Sequence, residues 1–508
     1  MESQDKGIAL HSEIQPQLDA KDGDVALNLF TKGQELADPI DPVAEKKLLR
    51  KIDWMVIPFI CITYLVTYID KATIGYAAVF GLQKDLGLVG DQYSWLGSIF
   101  YFGYMVFEYP TSYAMQKLSV AKWMSANIFI WGGITMALGG CKSFPSFAGL
   151  RFVLGALESC STPGYLLITA MWYKVEEQPV RIGYWSTFLG LANAFGGLLG
   201  YGIGHIHGAL ESWRYQFIII GAVSSAWGLF MFFTLAENAV SARWLTDSEK
   251  KLAVERLRDN QTGIKNTKTK PYQIKEAFLD PKTWFFFLFG MSTQVVNGAV
   301  SNFGSLIVKG FGFSSLNATL LQVPYGFIIL FANLSAMYIQ RWLPGQMRCA
   351  VACVYVLPAL AGTIGIHTIS RDSRGALLAC YYLTACYTAS FSMIMSLLTA
   401  NVAGSTKRST VNAIFFISYC VGNIVGPFAF KSNEAPVYTS GIIAVLVAYC
   451  VEIGLLIAFA FYMIMMNKQK ASALAALQAE HGGDEQERAV AAFSDHTDRE
   501  NPFFRYTY

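Results

Sequence analysis

Apolar residues gather in blocks of about twenty, separated by short polar stretches, twelve times between Asp53 and Met466. A helix rising 1.5 Å per residue needs roughly 20 residues to cross a hydrocarbon core about 30 Å thick. The blocks lie near 54–74, 92–113, 123–141, 147–171, 182–206 and 215–236, and again near 284–306, 315–340, 349–368, 376–400, 411–430 and 438–466. Lipid offers the backbone no hydrogen-bond partner, so each block must satisfy its own amides, as a helix does. The pattern predicts an all-α membrane protein with twelve transmembrane helices in two six-helix bundles. It divides the chain into an N-terminal tail (1–51), a first bundle (52–237), a linker (238–282), a second bundle (283–466) and a C-terminal tail (467–508).

Charge sets the orientation. Lys46, Lys47, Arg50 and Lys51 precede the first block; Lys117 and Lys122, Lys174 and Arg181, Arg341 and Arg348, and Lys407 and Arg408 fill alternate loops. Opposite loops pair sparse cations with acids: Lys84 with Asp85, Arg371 with Asp372, Lys431 with Glu434. Positive residues mark the cytosolic side, which puts both termini and the linker inside. The start has no basic region followed by an apolar core, so the first helix acts as the insertion signal. In the linker, Thr246-Asp247-Ser248-Glu249 opens an amphipathic run through Leu252, Val254 and Leu257, a short surface helix. The stretch beyond Lys470 reads as a short helix followed by disorder.

Composition closes off other classes. At 53% hydrophobic and 15% charged, with a net charge of +3, the chain offers nothing to nucleic acid. Its nine cysteines form no CxxC pair and its six histidines have no metal spacing, so they predict neither a disulfide framework nor a metal site. No Walker loop or nucleophile elbow is present, which argues against an ATP-driven pump, a hydrolase or any resident cofactor.

A weak repeat links the halves. A basic loop ending at Arg181 leads to Gly190, Asn193 and Gly196; Lys407-Arg408 leads to Gly422, Asn423 and Gly426. Parallel repeats of this kind enclose a cavity between them. Gly196, Gly200 and Gly204 share one helix face at four-residue spacing, a stripe that lets helices approach closely and lets bundles rock.

Ionisable groups inside a bilayer are expensive and therefore candidates for function. They are Asp70-Lys71 in the first helix, Glu108 in the second, and Arg151 and Glu158 in the fourth. Counting residues puts Asp70 about 24 Å from the inner end of its helix and Arg151 about 6 Å below the outer end of its own. These groups share the outer half, as an ion pair or gate. Glu158 lies two turns deeper, near the midplane, on the face of Arg151 and Gly155. A midplane carboxyl that water reaches from alternating sides can load a proton on one side and release it on the other. Glu158, with Asp70, is thus the proton-coupling candidate, set against a structural hydrogen bond between helices. Lys71 reads as the cation for an anionic substrate or as a side chain snorkelling outward. Arg151 divides evenly between substrate contact and structure, and Glu108 fits a cytosol-side structural ion pair. Tyr104, Asn193, Asn297, Tyr325, Asn401, Asn412 and Asn423 supply neutral polar groups for a site or for helix–helix contacts, and Arg408 is placed at the inner rim. His205 and His207 sit at the outer end of the fifth helix.

Five segments carry a family resemblance. Tyr68-Ile-Asp-Lys-Ala-Thr-Ile-Gly-Tyr-Ala77, Phe107-Glu-Tyr-Pro-Thr-Ser112, and Arg151 through Glu158 with Pro163-Gly164 resemble motifs of the anion:cation symporter family within the major facilitator superfamily. Ala242-Arg-Trp-Leu-Thr246 with Glu249 is similar to its linker motif, and Asn401 through Lys407-Arg408 to Asn412 to its helix 10–11 turn. Asn297-Gly298 and Phe311-Gly312-Phe313 fit the fungal allantoate permease group. The resemblance implies the twelve-helix facilitator fold and proton symport of a small organic anion, such as allantoate, ureidosuccinate or nicotinate, across the plasma membrane. It also implies proton coupling at Glu158 and anion handling at Lys71. Many members carry Arg where this chain has Lys71, and a lysine offers a point charge in place of a planar fork. The loop Gln116 to Lys122 lacks the general facilitator Gly and Asp.

Two other functions compete. A proton-antiport exporter shares the fold, but its usual Gly-Pro motif late in helix 5 is missing between Gly196 and Gly204. A nutrient sensor would signal through the tails, which are modest here. The expected partners are a small organic anion, a proton and lipid, with the chain monomeric.

Overall fold

The computed structural model describes residues 41–174, 176–258, 270–343, 347–481 and 496–508. The expected N-terminal tail up to residue 40, the centre of the linker (259–269) and residues 482–495 of the C-terminal tail lie outside the described residues. All regular structure among the described residues is helical. In chain order the helices are α1 (Pro42–Val79), α2 (Gln92–Lys117), α3 (Val120–Leu138), α4 (Phe144–Glu158), α5 (Ser161–Trp172), α6 (Gln178–Gly204) and α7 (Ser212–Thr234). The linker contributes α8 (Asp247–Arg258) and α9 (Pro271–Leu279). The second half contains α10 (Pro281–Gly310), α11 (Ser315–Leu320), α12 (Gln322–Trp342), α13 (Arg348–Thr368), α14 (Arg374–Thr384), α15 (Tyr387–Asn401), α16 (Ser405–Val425) and α17 (Thr439–His481). Among the described residues, seven helical runs are long and apolar enough to cross a bilayer. The other expected spans are helical too, but Gly, Tyr, Trp, Asn or a chain break dilutes their hydropathy.

Helix ends follow local chemistry. Asp41 accepts from the amides of Val43 (3.0 Å) and Ala44 (3.3 Å), and Pro42 holds the first helical position, so α1 starts well before the apolar block. Three blocks expected as single helices are broken. Between α4 and α5, Ser159 Oγ donates to the Ala156 carbonyl (2.7 Å) and Cys160 Sγ to that of Leu157 (3.3 Å). Between α14 and α15, Thr384 Oγ1 does the same to Tyr381 (2.6 Å). Such bonds compete with the helical ladder. Between α11 and α12, Pro324 supplies no amide to the preceding turn, and Tyr382 Oη donates instead to the Leu321 carbonyl (3.1 Å).

The halves pack alike. In the first, α1 lies on α6, α2 on α4 and α3 on α7; in the second, α10 lies on α16, α12 on α15 and α13 on α17. Counted as blocks, each pairing recurs six blocks later. Across the seam α1 meets α10, α2 meets α16 and α6 meets α12. At the end predicted to be outside, Tyr93 Oη donates to the Asn302 carbonyl (2.7 Å), Ser94 Oγ to Pro427 (2.9 Å) and Ser98 Oγ to Ile424 (2.7 Å). Lys309 Nζ and Ser315 Oγ both donate to the Val79 carbonyl (2.9 and 3.0 Å). These bonds close the seam there.

At the other end, both connections dock. Thr246 and Glu249 exchange reciprocal capping bonds at the start of α8 (2.9 and 3.3 Å). Arg256 is buried and pairs with Glu45 (3.0 Å) and Glu177, while Lys51 pairs with Glu249 (2.7 Å). The hydrogen bond from Lys174 and the Arg256 charge hold the Glu45 carboxyl below its ordinary range.

Beyond Lys470 the expected helix is present and extends to His481, but the expected disorder after it needs correction: residues 496–508 pack against the second half at the end predicted to be inside. Tyr506 and Asp498 are fully buried; Thr507 exchanges two hydrogen bonds with Asn401 (2.9 and 2.8 Å) and Tyr506 two with Asn467 (2.8 and 2.9 Å). A disordered tail would not carry Phe503, Phe504, Tyr506 and Tyr508 in six residues, and that aromatic cluster is what seats it.

Candidate functional site

The break after α4 leaves Glu158 on the last turn, where its side chain points at α1. Lys71, one residue beyond Asp70, meets it: Lys71 Nζ lies 2.7 Å from Glu158 Oε1, with Glu158 fully buried. Glu158 Oε2 has no hydrogen-bond partner. Aromatic rings complete the surroundings of the ammonium, with Tyr68, Tyr104 and Phe100 centred 5.0, 5.4 and 5.6 Å from Nζ. Ring faces attract a cation without neutralising it. The ammonium is therefore held by one carboxylate and a set of replaceable electrostatic contacts.

Lys71 lines a narrow cavity of about 50 Å³ between the halves, well below the volume of an open small-molecule site. Of the expected polar residues, Asn193, Asn297 and Tyr325 line it. Asn297 is fixed in place: its Nδ2 donates to Asn423 Oδ1 (2.8 Å) and its Oδ1 accepts from Tyr387 Oη (3.2 Å). Asn423 in turn donates to Gln294 Oε1 (2.9 Å) and stands behind the lining. Tyr325 stacks on Tyr381 at 4.7 Å, and its buried hydroxyl has no partner. Lys71 is the only charged side chain among the lining residues.

Other expected residues lie one layer out. Asp70 Oδ2 accepts from Trp131 Nε1 (3.1 Å), which ties it to α3. Arg151 donates to the Leu96 carbonyl (3.1 Å) and covers the Phe100 ring at 4.9 Å. The expected outer-half ion pair is not made, because Asp70 does not come within 4 Å of Arg151, and Lys71 pairs with Glu158 instead. Asp70 and Arg151 still act on each other electrostatically. Snorkelling of Lys71 is also ruled out by its inward pairing. Glu108 corrects a further expectation: among the described residues it has no ion-pair partner, and its buried Oε2 has no hydrogen bond. Asn401 serves the docked tail, and Arg408 donates to the Thr399 carbonyl (2.9 Å) at the rim; neither lines the cavity. Gly196 and Gly200 pack against Tyr76, and Gly204 against Phe80. Helix α6 approaches neighbouring backbone at Gly190 and Gly197, where the Gly326 and Thr319 carbonyls leave no room for a side chain. His205 and His207 are exposed.

Several residues escaped the sequence reading. Gln294, Gln322, Tyr381 and Tyr387 meet the same criterion as the asparagines, polar groups inside apolar blocks. Glu452 is fully buried in α17 with Ser390 Oγ donating to Oε1 (2.6 Å), and a carboxylate within an apolar block was signal enough.

A family model described as Major Facilitator Superfamily matches residues 60–427. The chain belongs to that superfamily. Within it the chain groups with fungal allantoate permease-like transporters. It is 39% identical over 465 residues to an uncharacterized transporter of Schizosaccharomyces pombe, covering 91% of this chain and 86% of the relative. It is 35% identical over 500 residues to the allantoate permease of Saccharomyces cerevisiae, covering 95% and 90%. The facilitator fold also appears in a solved bacterial homolog of the human lysosomal transporter Spinster, inward-facing and unoccupied (TM-score 0.60, 15% identity, 83% of this chain and 98% of that one). The Escherichia coli xylose transporter XylE, in its inward-open conformation, gives a TM-score of 0.60 at 14% identity, covering 78% and 95%. This chain is thus a multi-pass membrane transporter rather than an enzyme.

Proposed function

We propose that the chain is a proton-coupled importer of a small organic anion, acting at the plasma membrane, with twelve crossings and cytosolic termini. Residues 52–237 and 283–466 form its two rocking bundles, joined by the cytosolic linker 238–282. The observation that carries the reading is the Lys71–Glu158 pair at the cavity wall. A proton arriving on Glu158 removes the negative partner of Lys71 and leaves an unpaired ammonium facing the cavity. A buried unpaired cation is costly, so an incoming carboxylate is drawn to it. Proton and anion therefore load together, and the cavity carries the same net charge loaded as empty. On the inner side, departure of the anion lets Lys71 reclaim Glu158 and expel the proton. Asp70, held by Trp131, offsets the buried Arg151 charge behind this switch. The tyrosine, asparagine and serine lining supplies hydrogen bonds for the uncharged part of a ureide or ring carboxylate. The name of the allantoate permease relative supports that substrate class.

The test is uptake of labelled allantoate, ureidosuccinate and nicotinate, one at a time, into proteoliposomes holding the full chain under an inside-alkaline gradient. Uptake of at least one should rise with the gradient. Glu158→Gln should abolish the pH dependence at unchanged reconstitution, and Lys71→Ala should raise the half-saturating concentration at least tenfold. Gradient-independent uptake, or wild-type coupling in Glu158→Gln, sinks the reading.

A further inference from the structure

We propose that Glu108 is the inner station of the proton path, receiving the proton from Glu158 and handing it to the cytosolic side. The inference rests on the importer reading and extends it. Glu158 is fully buried, so a proton that leaves it passes through neighbouring groups. One helical turn further along the inward-running chain, Thr162 Oγ1 lies 3.2 Å from Tyr104 Oη. Tyr104 belongs to α2, which also runs inward, and it feels the charges of both Glu158 and Glu108. Cys160, in the break after α4, feels both as well. Tyr104 and Cys160 thus each lie within electrostatic reach of both carboxylates. Glu108 follows Tyr104 by four residues, on the same face and about 6 Å nearer the inner end.

The seam fits this assignment. Along α2, Ser94 meets Pro427 just beyond α16, and Ser98 and Tyr104 meet α16 itself, the last through a ring contact with Phe416 at 5.4 Å. Glu108 continues that row toward the predicted cytosolic end, within electrostatic reach of Cys420 of α16. The titratable groups around it are Tyr104, Cys160 and Cys420; among the described residues no cation pairs with it, and Lys122 of α3 is exposed. A structural glutamate would have found a partner. One oxygen of Glu108 is buried without any hydrogen bond, while the residue as a whole is only half-buried. A carboxyl so placed, without a counter-ion among the described residues, is free to take up and release a proton.

The first experiment uses the wild-type chain. Dicyclohexylcarbodiimide, an apolar reagent that adds to protonated carboxyls, is applied to proteoliposomes at a series of pH values, and adducts are located by peptide mass spectrometry. An adduct at Glu108 whose yield rises as pH falls is expected; its absence at every pH overturns the inference. The second measures allantoate, ureidosuccinate or nicotinate uptake while only the inside pH is varied. Glu108→Gln should slow gradient-driven uptake at least tenfold and flatten its inside-pH dependence, and Glu108→Asp should restore the dependence. Wild-type inside-pH dependence in Glu108→Gln, with coupling lost in Glu158→Gln, overturns this inference alone. Intact coupling in Glu158→Gln overturns the importer reading instead.

Discussion

Buried charge is handled in two ways in this molecule. At the cavity, Lys71 has one carboxylate partner and that partner has no other donor, an arrangement a single proton can undo. At the inner end of the second half, charge is locked. Lys407 Nζ lies 2.7 Å from Asp280, 2.8 Å from Glu276 and 2.8 Å from Asp498, and Lys282 also pairs with Asp498. The three carboxylates converge as metal ligands would, but the two ammonium groups occupy their lone pairs. Burial by itself would raise the Asp498 carboxyl; the charges of Lys282 and Lys407 outweigh it and hold the group below the ordinary aspartate range. A carboxyl lowered on folding contributes stability that is fully present above its unfolded value, about 3.9, and is lost as pH falls through the folded one. Asp498→Ala should therefore destabilise the chain by about 1.5–3 kcal/mol at neutral pH, because it leaves Lys282 and Lys407 to share Asp280 and Glu276. The gap between wild type and variant should narrow only under strong acid. Thermal unfolding in detergent across pH measures both effects, and an unchanged midpoint at neutral pH would contradict the role given to Asp498.

Helix contacts are decided by where a side chain is missing. Gly103 faces the Phe152 carbonyl and Gly155 faces the Phe100 carbonyl, a reciprocal approach that brings α2 and α4 into backbone contact. Any Cβ at either position would overlap that oxygen. This contact also sets the depth of Glu158, three residues after Gly155, against Tyr104 and Lys71. Gly155→Val should lower the amount of folded protein recovered at least fivefold and abolish uptake. Gly149→Ala, on the same helix with open space around it, should be neutral. Fluorescence-detected size exclusion separates the two outcomes. Equal recovery of both variants would mean that α2 and α4 tolerate separation.

The whole molecule is a two-fold arrangement whose seam is closed on one side. Three pairings within each half recur six blocks apart, and the cross-seam contacts α2 with α16 and α6 with α12 exchange under the same relation. The closing bonds run mostly from hydroxyls to backbone carbonyls, and the only charge among them is Lys309. Neutral bonds of this kind, each worth about 1 kcal/mol net, can be broken and remade as bundles rock. Joining Ser98→Cys to Ile424→Cys with a short bifunctional thiol reagent should hold the outer side shut and cut uptake at least tenfold. The same reagent should leave each single variant at its untreated rate. Uptake that survives the cross-link would show that this seam does not open during transport.

Local chemistry written along the chain was sufficient for the helical blocks, the capped linker helix and the short roster of charges in apolar surroundings. Each of these depends on residues within a few turns of one another, through hydropathy, capping and the cost of burying charge. The partners of those charges were another matter. Sequence distance put Asp70, Lys71 and Arg151 together by depth, yet depth along a helix leaves its rotation and its neighbours open. Only the packed bundle turned Lys71 toward Glu158, set Asp70 against Trp131 and left Glu108 without a counter-ion. Only tertiary packing could seat the last thirteen residues, since their anchors, Lys282, Lys407 and Asn401, lie some one hundred to two hundred residues upstream. Pairing across such distances is fixed by how the helices pack as solids, which no local stretch of sequence encodes.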